Sequence, residues 1–164
     1  METLLQPKPP HMEEHTHEFS FEIKASRDKV WKWLNRPETF TEGQIPPFRV
    51  EFYSPDPDNI PNGFHEGVLN VHHGPLMNFA GVLTKIEKPF YRDLQYYYGS
   101  YALTMRWIRP FRLEFWLDES DENKTILKCR ISSYIKPSMR GFWSTAQKYF
   151  WARFRSWAKK QAVK

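Results

Sequence analysis

From Glu18 to Ala25 the chain alternates without a break: Phe19, Phe21, Ile23 and Ala25 fall on one side, Glu18, Ser20, Glu22 and Lys24 on the other. That period of two marks a half-buried strand. Ser26 comes next as a helix N-cap, and Val30, Trp33 and Leu34 recur at helical spacing, which predicts a helix over Arg27 to Leu34. Pro37 stops it. A second short turn of helix fits Glu38 to Gln44, and Pro46-Pro47 then forces extended chain.

Strand patterns dominate the middle of the chain. Phe48, Val50 and Phe52 alternate with Arg49 and Glu51, and Ser54 to Asn59 is a loop by its proline and aspartate content. Phe64 to His73 and Met77 to Glu87 read as two strands joined at His73-Gly74-Pro75, with a turn at Lys88-Pro89. Tyr91 to Tyr98 and Tyr101 to Ile108 read as a hairpin across Gly99-Ser100. Phe111, Leu113, Phe115 and Leu117 resume after Pro110, whose missing N–H predicts an edge or a bulge. A polar turn over Asp118 to Lys124 leads to Leu127, Cys129, Ile131 and Ile135, alternating with Lys128, Arg130 and Ser132. Beyond Pro137, Ser138 stands where it can cap a long helix with Trp143, Ala146, Phe150, Phe154, Trp157 and Ala158 on one wide stripe, leaving Phe142 and Trp151 off it.

Strands and helices segregated in this way predict an α+β fold. Residues 1–15, with three prolines and the pair Glu13-Glu14, read as a flexible leader, and 16–164 as a single domain without internal repeats.

The strand ending in Ala25-Ser26, the helix Asp28 to Leu34, the acidic-aromatic Pro37-Glu38-Thr39-Phe40 and the aromatic C-terminal helix together resemble the START-like, or SRPBCC, superfamily. The resemblance covers Thr16 to Lys160. Ile86-Glu87-Lys88-Pro89-Phe90, with Asp93, Gln95 and Gly99 after it, is similar to bacterial members described as ligand-binding SRPBCC proteins. It implies a helix-grip fold: a curved antiparallel sheet of six or seven strands wrapped around a long C-terminal helix, with one or two short helices after the first strand. It also implies a cavity between sheet and helix that takes a hydrophobic or amphipathic small molecule such as a lipid or polyketide. Superfamilies of this kind carry transport, binding and cyclisation on one scaffold. Two other readings therefore stand beside ligand binding: a cofactor-independent cyclase, dehydratase or hydrolase in the same cavity, and a membrane-associated lipid-transfer or protein-interaction module.

Composition sharpens this picture in three ways. Aromatic residues make up 17% of the 164, and Phe79, Tyr96, Tyr98, Trp107, Phe115, Phe150, Phe154 and Trp157 are the candidate cavity wall, either lining it or filling it as core. The single cysteine, Cys129, excludes an internal disulfide and points to the cytoplasm; no apolar run of membrane-span length and no signal-peptide pattern is expected. The net charge of +5 is wholly C-terminal: Arg140, Lys148, Arg153, Arg155, Lys159, Lys160 and Lys164 come after Ser138 with no acid, leaving 17 cations against 19 acids before it. Such a helix is either the solvated back of a core helix, an interfacial membrane helix, or a nucleic-acid contact. The acidic balance of the remainder speaks against nucleic acid, and exposure of Phe142 and Trp151 would favour the membrane.

Chemistry is sparse. The six histidines lack the cysteine pairs or convergent ligands of a metal site, no phosphate-cradling glycine motif occurs, and neither metal nor cofactor is expected. Cys129 sits on an apolar strand face as an inert hydrophobe. If the cavity performs acid–base chemistry, Asp93 and Arg106 are the catalytic candidates, with Tyr98, Asn70 and Ser133 as hydrogen-bonding partners; Arg106, interrupting Ala102, Thr104 and Ile108, is also a ligand-binding candidate for a carboxylate-bearing molecule, and otherwise Asp93 and Arg106 form an outward cross-strand ion pair.

Overall fold

The computed structural model describes residues 5–44, 46–56, 58 and 63–162. Its elements run β1 (Glu13–Ile23), α1 (Arg27–Leu34), α2 (Pro37–Thr41), β2 (Arg49–Tyr53), β3 (Leu69–Gly74), β4 (Met77–Glu87), β5 (Tyr91–Tyr101), β6 (Ile108–Asp121), β7 (Lys124–Ile135) and α3 (Arg140–Gln161). Seven strands form one curved antiparallel sheet in the order β1-β7-β6-β5-β4-β3-β2. The long α3 lies against its concave face, where Trp151 meets Phe19 and Phe115, Phe154 meets Phe21, and Trp143 meets Tyr101. This is the helix-grip arrangement.

Alternation in β1 and β7 sets their register. Phe19 lies opposite Cys129 and Phe21 opposite Leu127, so the apolar side of each strand meets α3. Ser26 ends the extended chain before α1 and its carbonyl accepts the Val30 N–H at 3.0 Å. Val30, Trp31 and Leu34 anchor α1 in the main core, and Trp33 packs on Trp157 and Phe154 of α3. A second cluster, Phe64, Val68, Phe79, Leu83, Leu94 and Tyr96, continues the core along β4 and β5, sharing Phe40, Ile86, Tyr101 and Leu113 with the first.

Four expectations are corrected. Gly99 is no hairpin turn: β5 runs on through it to Tyr101, and the connection to β6 is 102–107. An extra residue at Tyr97 shifts the pairing with β4, and Gly99 then approaches its neighbour so closely, at φ 99°, that a Cβ there would lie 2.0 Å from the Asn78 carbonyl. Only glycine serves there. Phe64 to Val68 is loop, with Phe64 and Val68 turned into the core. The leader is shorter than expected, since β1 begins at Glu13, and before it Gln6, Pro9 and Met12 are buried while Leu5, Pro7, Lys8, Pro10 and His11 are exposed. A single turn of 3-10 helix, Pro137–Met139, precedes α3, so Ser138 caps nothing with its side chain. Residues 1–4, part of the expected 54–59 loop, and Lys164 lie outside the described residues.

The stripe on α3 is also shifted. Trp143, Gln147, Trp151 and Ala158 are its buried residues. Trp151 is 3% exposed and Phe150 54%, the reverse of the expected placement.

Candidate functional site

The concave face between the sheet and α3 carries polar groups among its rings. Asn70 of β3 sits opposite Gly81, which sits opposite Tyr96. His72 sits opposite Phe79, its ring stacked on Phe79 at 4.4 Å and edge-on to Tyr96 at 6.1 Å. Phe79 in turn meets Tyr101 at 4.9 Å, and Tyr101 meets Trp143 of α3 at 4.9 Å. Toward the other edge, Ser133 of β7 lies opposite His15 of β1, whose Nε2 is 3.0 Å from the Ser144 Oγ on α3.

Four of these residues and His17 of β1, which lies opposite Ile131, have a buried polar atom without a hydrogen-bond partner among the described residues: Asn70 Oδ1, Ser133 Oγ, Trp143 Nε1, His15 Nδ1 and His17 Nε2. Most buried polar atoms in folded proteins are paired. Burial also sets the charge states. It pulls His72 down to about 3 and lowers His15 and His17, so all three favour the neutral ring, while it raises Tyr96 and Tyr101.

One interior cation stands apart. Arg92 of β5 is 4% exposed and faces inward beside Leu94 and Tyr96. Its Nη1 donates to the Leu34 carbonyl at the end of α1 at 2.6 Å. Phe40, Phe64 and Phe115 present their rings to its guanidinium at 4.9 to 5.0 Å. Among the described residues no carboxylate pairs with it. Burial lowers its pKa to about 9, which still leaves a cation at neutral pH.

Of the candidate wall residues, Phe79, Tyr96, Phe115, Asn70 and Ser133 face inward and are buried, and Trp107 and Phe154 pack half-buried against the core. Trp157 lies on Trp33, outside the sheet–helix space. Tyr98 is turned to solvent by the extra residue at Tyr97, and Phe150 is exposed by the shifted helix face. Asp93 and Arg106 are not neighbours. Arg106 lies in the exposed 102–107 loop with φ 47°. Asp93 points to the convex face, opposite Glu114, and is bound by Arg112 at 2.9 Å and by Thr84 and Gln95 at 2.8 Å. Asp93 and Glu114 are the buried acids among the described residues, and both belong to this outer network, which continues through Arg130 to Glu18. The acid–base pair proposed from sequence is therefore not assembled.

Two surface depressions lie away from the concave face. One of about 410 Å³ is bounded by Trp33 of α1, Arg36, Thr39 of α2 and Trp157 of α3. The other, of about 570 Å³, lies around Trp116 and Arg130. Between sheet and α3 the rings meet one another. Cys129 is buried with its thiol pKa pushed up, and no three His, Cys, Asp or Glu side chains converge as metal ligands among the described residues.

No protein-family model and no curated protein matches the sequence. Solved structures do match its shape. Norcoclaurine synthase from Thalictrum flavum, in complex with dopamine and hydroxybenzaldehyde, superposes with a TM-score of 0.66 over 99% of this chain and 96% of that one, at 10% identity. A START superfamily protein from Mycobacterium smegmatis gives 0.64 over 89% and 98%, also at 10% identity. The chain has the START-like helix-grip fold. A conserved protein from Geobacillus kaustophilus, at 13% identity and a TM-score of 0.62, shares it over 91% of this chain and 95% of that one. Identities this low establish the START-like architecture and leave the chemistry to this chain's own residues.

Sequence reasoning missed Arg92, His72 and Tyr101 as interior groups, whereas Trp143 is buried on the α3 stripe where it was expected. Arg92 was legible: it shares strand parity with Leu94 and Tyr96, so any strand that buries those residues buries the arginine too.

Proposed function

We propose that the protein binds a hydrophobic or amphipathic small molecule, of lipid or polyketide type, between the sheet and α3. The observation that carries this reading is the set of inward, buried polar atoms without partners, at Asn70, Ser133 and Trp143 above all, set among aromatic rings. A buried donor or acceptor left unpaired costs about 1–3 kcal/mol, and a ligand carrying a few polar atoms on an apolar frame offsets that cost while its frame covers Phe79, Tyr96 and Tyr101. The bound dopamine and hydroxybenzaldehyde of norcoclaurine synthase support the reading by analogy of fold. Because the rings touch, a ligand enters by parting α3 from the sheet near Trp143. The neutral His72 and the tyrosines would then recognise it by hydrogen bonds. The lone buried thiol agrees with a cytoplasmic setting.

Native mass spectrometry of the protein purified from its own host should show a retained small molecule. Saturable binding of the uncharged dye Nile red, which carries hydrogen-bond acceptors and no donor, should weaken several-fold in Ser133→Ala and Trp143→Phe, since each removes an unpaired interior donor worth about 1 kcal/mol. No retained molecule and no saturable dye binding by the natively folded protein would end the proposal.

A further inference from the structure

We propose that one end of the molecule, built from the β3–β4 tip, the β5–β6 loop and the first turn of α3, docks on an anionic membrane surface. The three segments are tied together by the backbone. The Ala102 N–H donates to the Leu76 carbonyl at 2.7 Å, the Lys136 N–H donates to the Trp107 carbonyl at 3.0 Å, and Trp143 packs on Tyr101. Four large apolar side chains nonetheless point outward from them: Leu76, 68% exposed, Phe142, 63% exposed, and the exposed Leu103 and Met105. The loop is held in an unfavourable conformation to do so. Ala102 and Arg106 have φ of 52° and 47°, in the left-handed region that side chains other than glycine and asparagine seldom adopt, and the Ala102 carbonyl accepts from both Met105 and Arg106. Strain of this kind is retained where the conformation is used.

Charge favours a membrane over a protein as the occupant. Segments 74–77, 102–109 and 136–142 contain Arg106, Arg109, Lys136 and Arg140 and no acid. Arg140 is paired with Glu13, whereas Arg106 and Arg109 have no ion-pair partner among the described residues; burial first, and the neighbouring Arg106 second, lower the Arg109 pKa. Two arginines without a carboxylate partner beside outward Leu, Met and Phe tips match anionic headgroups above an apolar layer. A bilayer accepts tips from three separate loops at unequal depths, which a rigid protein face does only with matched relief. Trp151, the other aromatic considered for such a surface, is buried and takes no part. The proposal does not depend on a ligand in the interior.

The test is sedimentation of the full-length protein with vesicles of phosphatidylcholine alone and with about one-third phosphatidylglycerol. Binding to the anionic vesicles should be about tenfold tighter and should fall with added salt. Leu76→Asp and Phe142→Asp should each weaken it about tenfold, and Arg106→Asn with Arg109→Gln should abolish the preference for phosphatidylglycerol, asparagine being tolerated at that φ. Phe90→Asp, at the β4–β5 turn, should bind as the parent does. Equal binding to both vesicles, no binding, or equal loss in Phe90→Asp would overturn the proposal. So would a concentration-dependent dimer that Leu76→Asp disrupts, because the end would then be an interface between copies of the chain.

Discussion

Arg92 is the residue whose environment is hardest to satisfy. A guanidinium withdrawn from water loses hydration that one carbonyl and three ring faces only partly replace, and its best bond goes to Leu34, where a helix end favours positive charge. Two substitutions separate its stem from its charge. Arg92→Ala should cost about 3 kcal/mol in urea unfolding by opening a cavity among Phe40, Phe64 and Phe115, while Arg92→Met, which keeps the stem, should cost about 1 kcal/mol; equal losses would mean that the charge, not the packing, holds α1 in place. His72 gives the pH dependence. Its pKa is near 6.5 unfolded and about 3 folded, so below pH 6.5 the unfolded chain takes up a proton that the native ring refuses. Stability is therefore complete above that pH and is lost as pH falls from 6.5 toward 3; His15 and His17, also lowered, act in the same direction. Comparison with His72→Phe isolates the effect: between about pH 7 and about pH 5 the parent should lose some 2 kcal/mol more than the variant. Parallel losses would show that His72 is protonated in the folded state.

At the scale of elements, β1, β7 and α1 follow from spacing alone, because each has one buried side and side chains that alternate or recur cleanly. Helix α3 shows where that reasoning slips. Counting apolar residues selects Phe150 and passes over Gln147, since a glutamine is not expected in a core. In the structure Gln147 is buried because its Oε1 accepts the Trp151 Nε1 at 2.8 Å, and the two together form the stripe with Trp143 and Ala158. A side-chain pair that satisfies itself inside the core leaves no trace in hydrophobicity. The shift is measurable. Trp151→Ala should cost about 3–5 kcal/mol of unfolding free energy, as a large core truncation, and Phe150→Ala should stay within about 0.5 kcal/mol of the parent. The opposite ranking would restore the stripe predicted from sequence. Strand β5 misleads for a related reason: Tyr96, Tyr97 and Tyr98 look like uninterrupted alternation, and one extra residue among three identical side chains is invisible until pairing with β4 shows it.

For the whole molecule, the helix-grip plan was legible, and the contacts that close it were not, because these join segments far apart in sequence. The +5 charge resolves into the solvent-facing side of α3, where Lys148, Arg153, Arg155, Lys159 and Lys160 are all exposed. Asp93 shows how a reading by residue type fails globally: the carboxylate is buried, as a catalytic one would be, but by an ionic network on the face away from the interior. The N-terminal segment completes the closure. Strand β5 leaves β6 between Gln95 and Tyr101, and Gln6 enters that gap, its backbone N–H donating to the Tyr96 carbonyl at 3.5 Å and its side-chain amide to the Pro110 carbonyl at 3.1 Å. Two carbonyls that the sheet cannot satisfy are thus bonded by a residue from its far end, which a proline-rich composition gave no reason to expect. Removing residues 1–9 should lower stability by about 2 kcal/mol, one for each bond, and should speed hydrogen exchange at amides 96–101 before any change appears in β1 or β7. If exchange in β5 is unchanged, the segment rests on the sheet without holding it, and the gap between β5 and β6 is stable by itself.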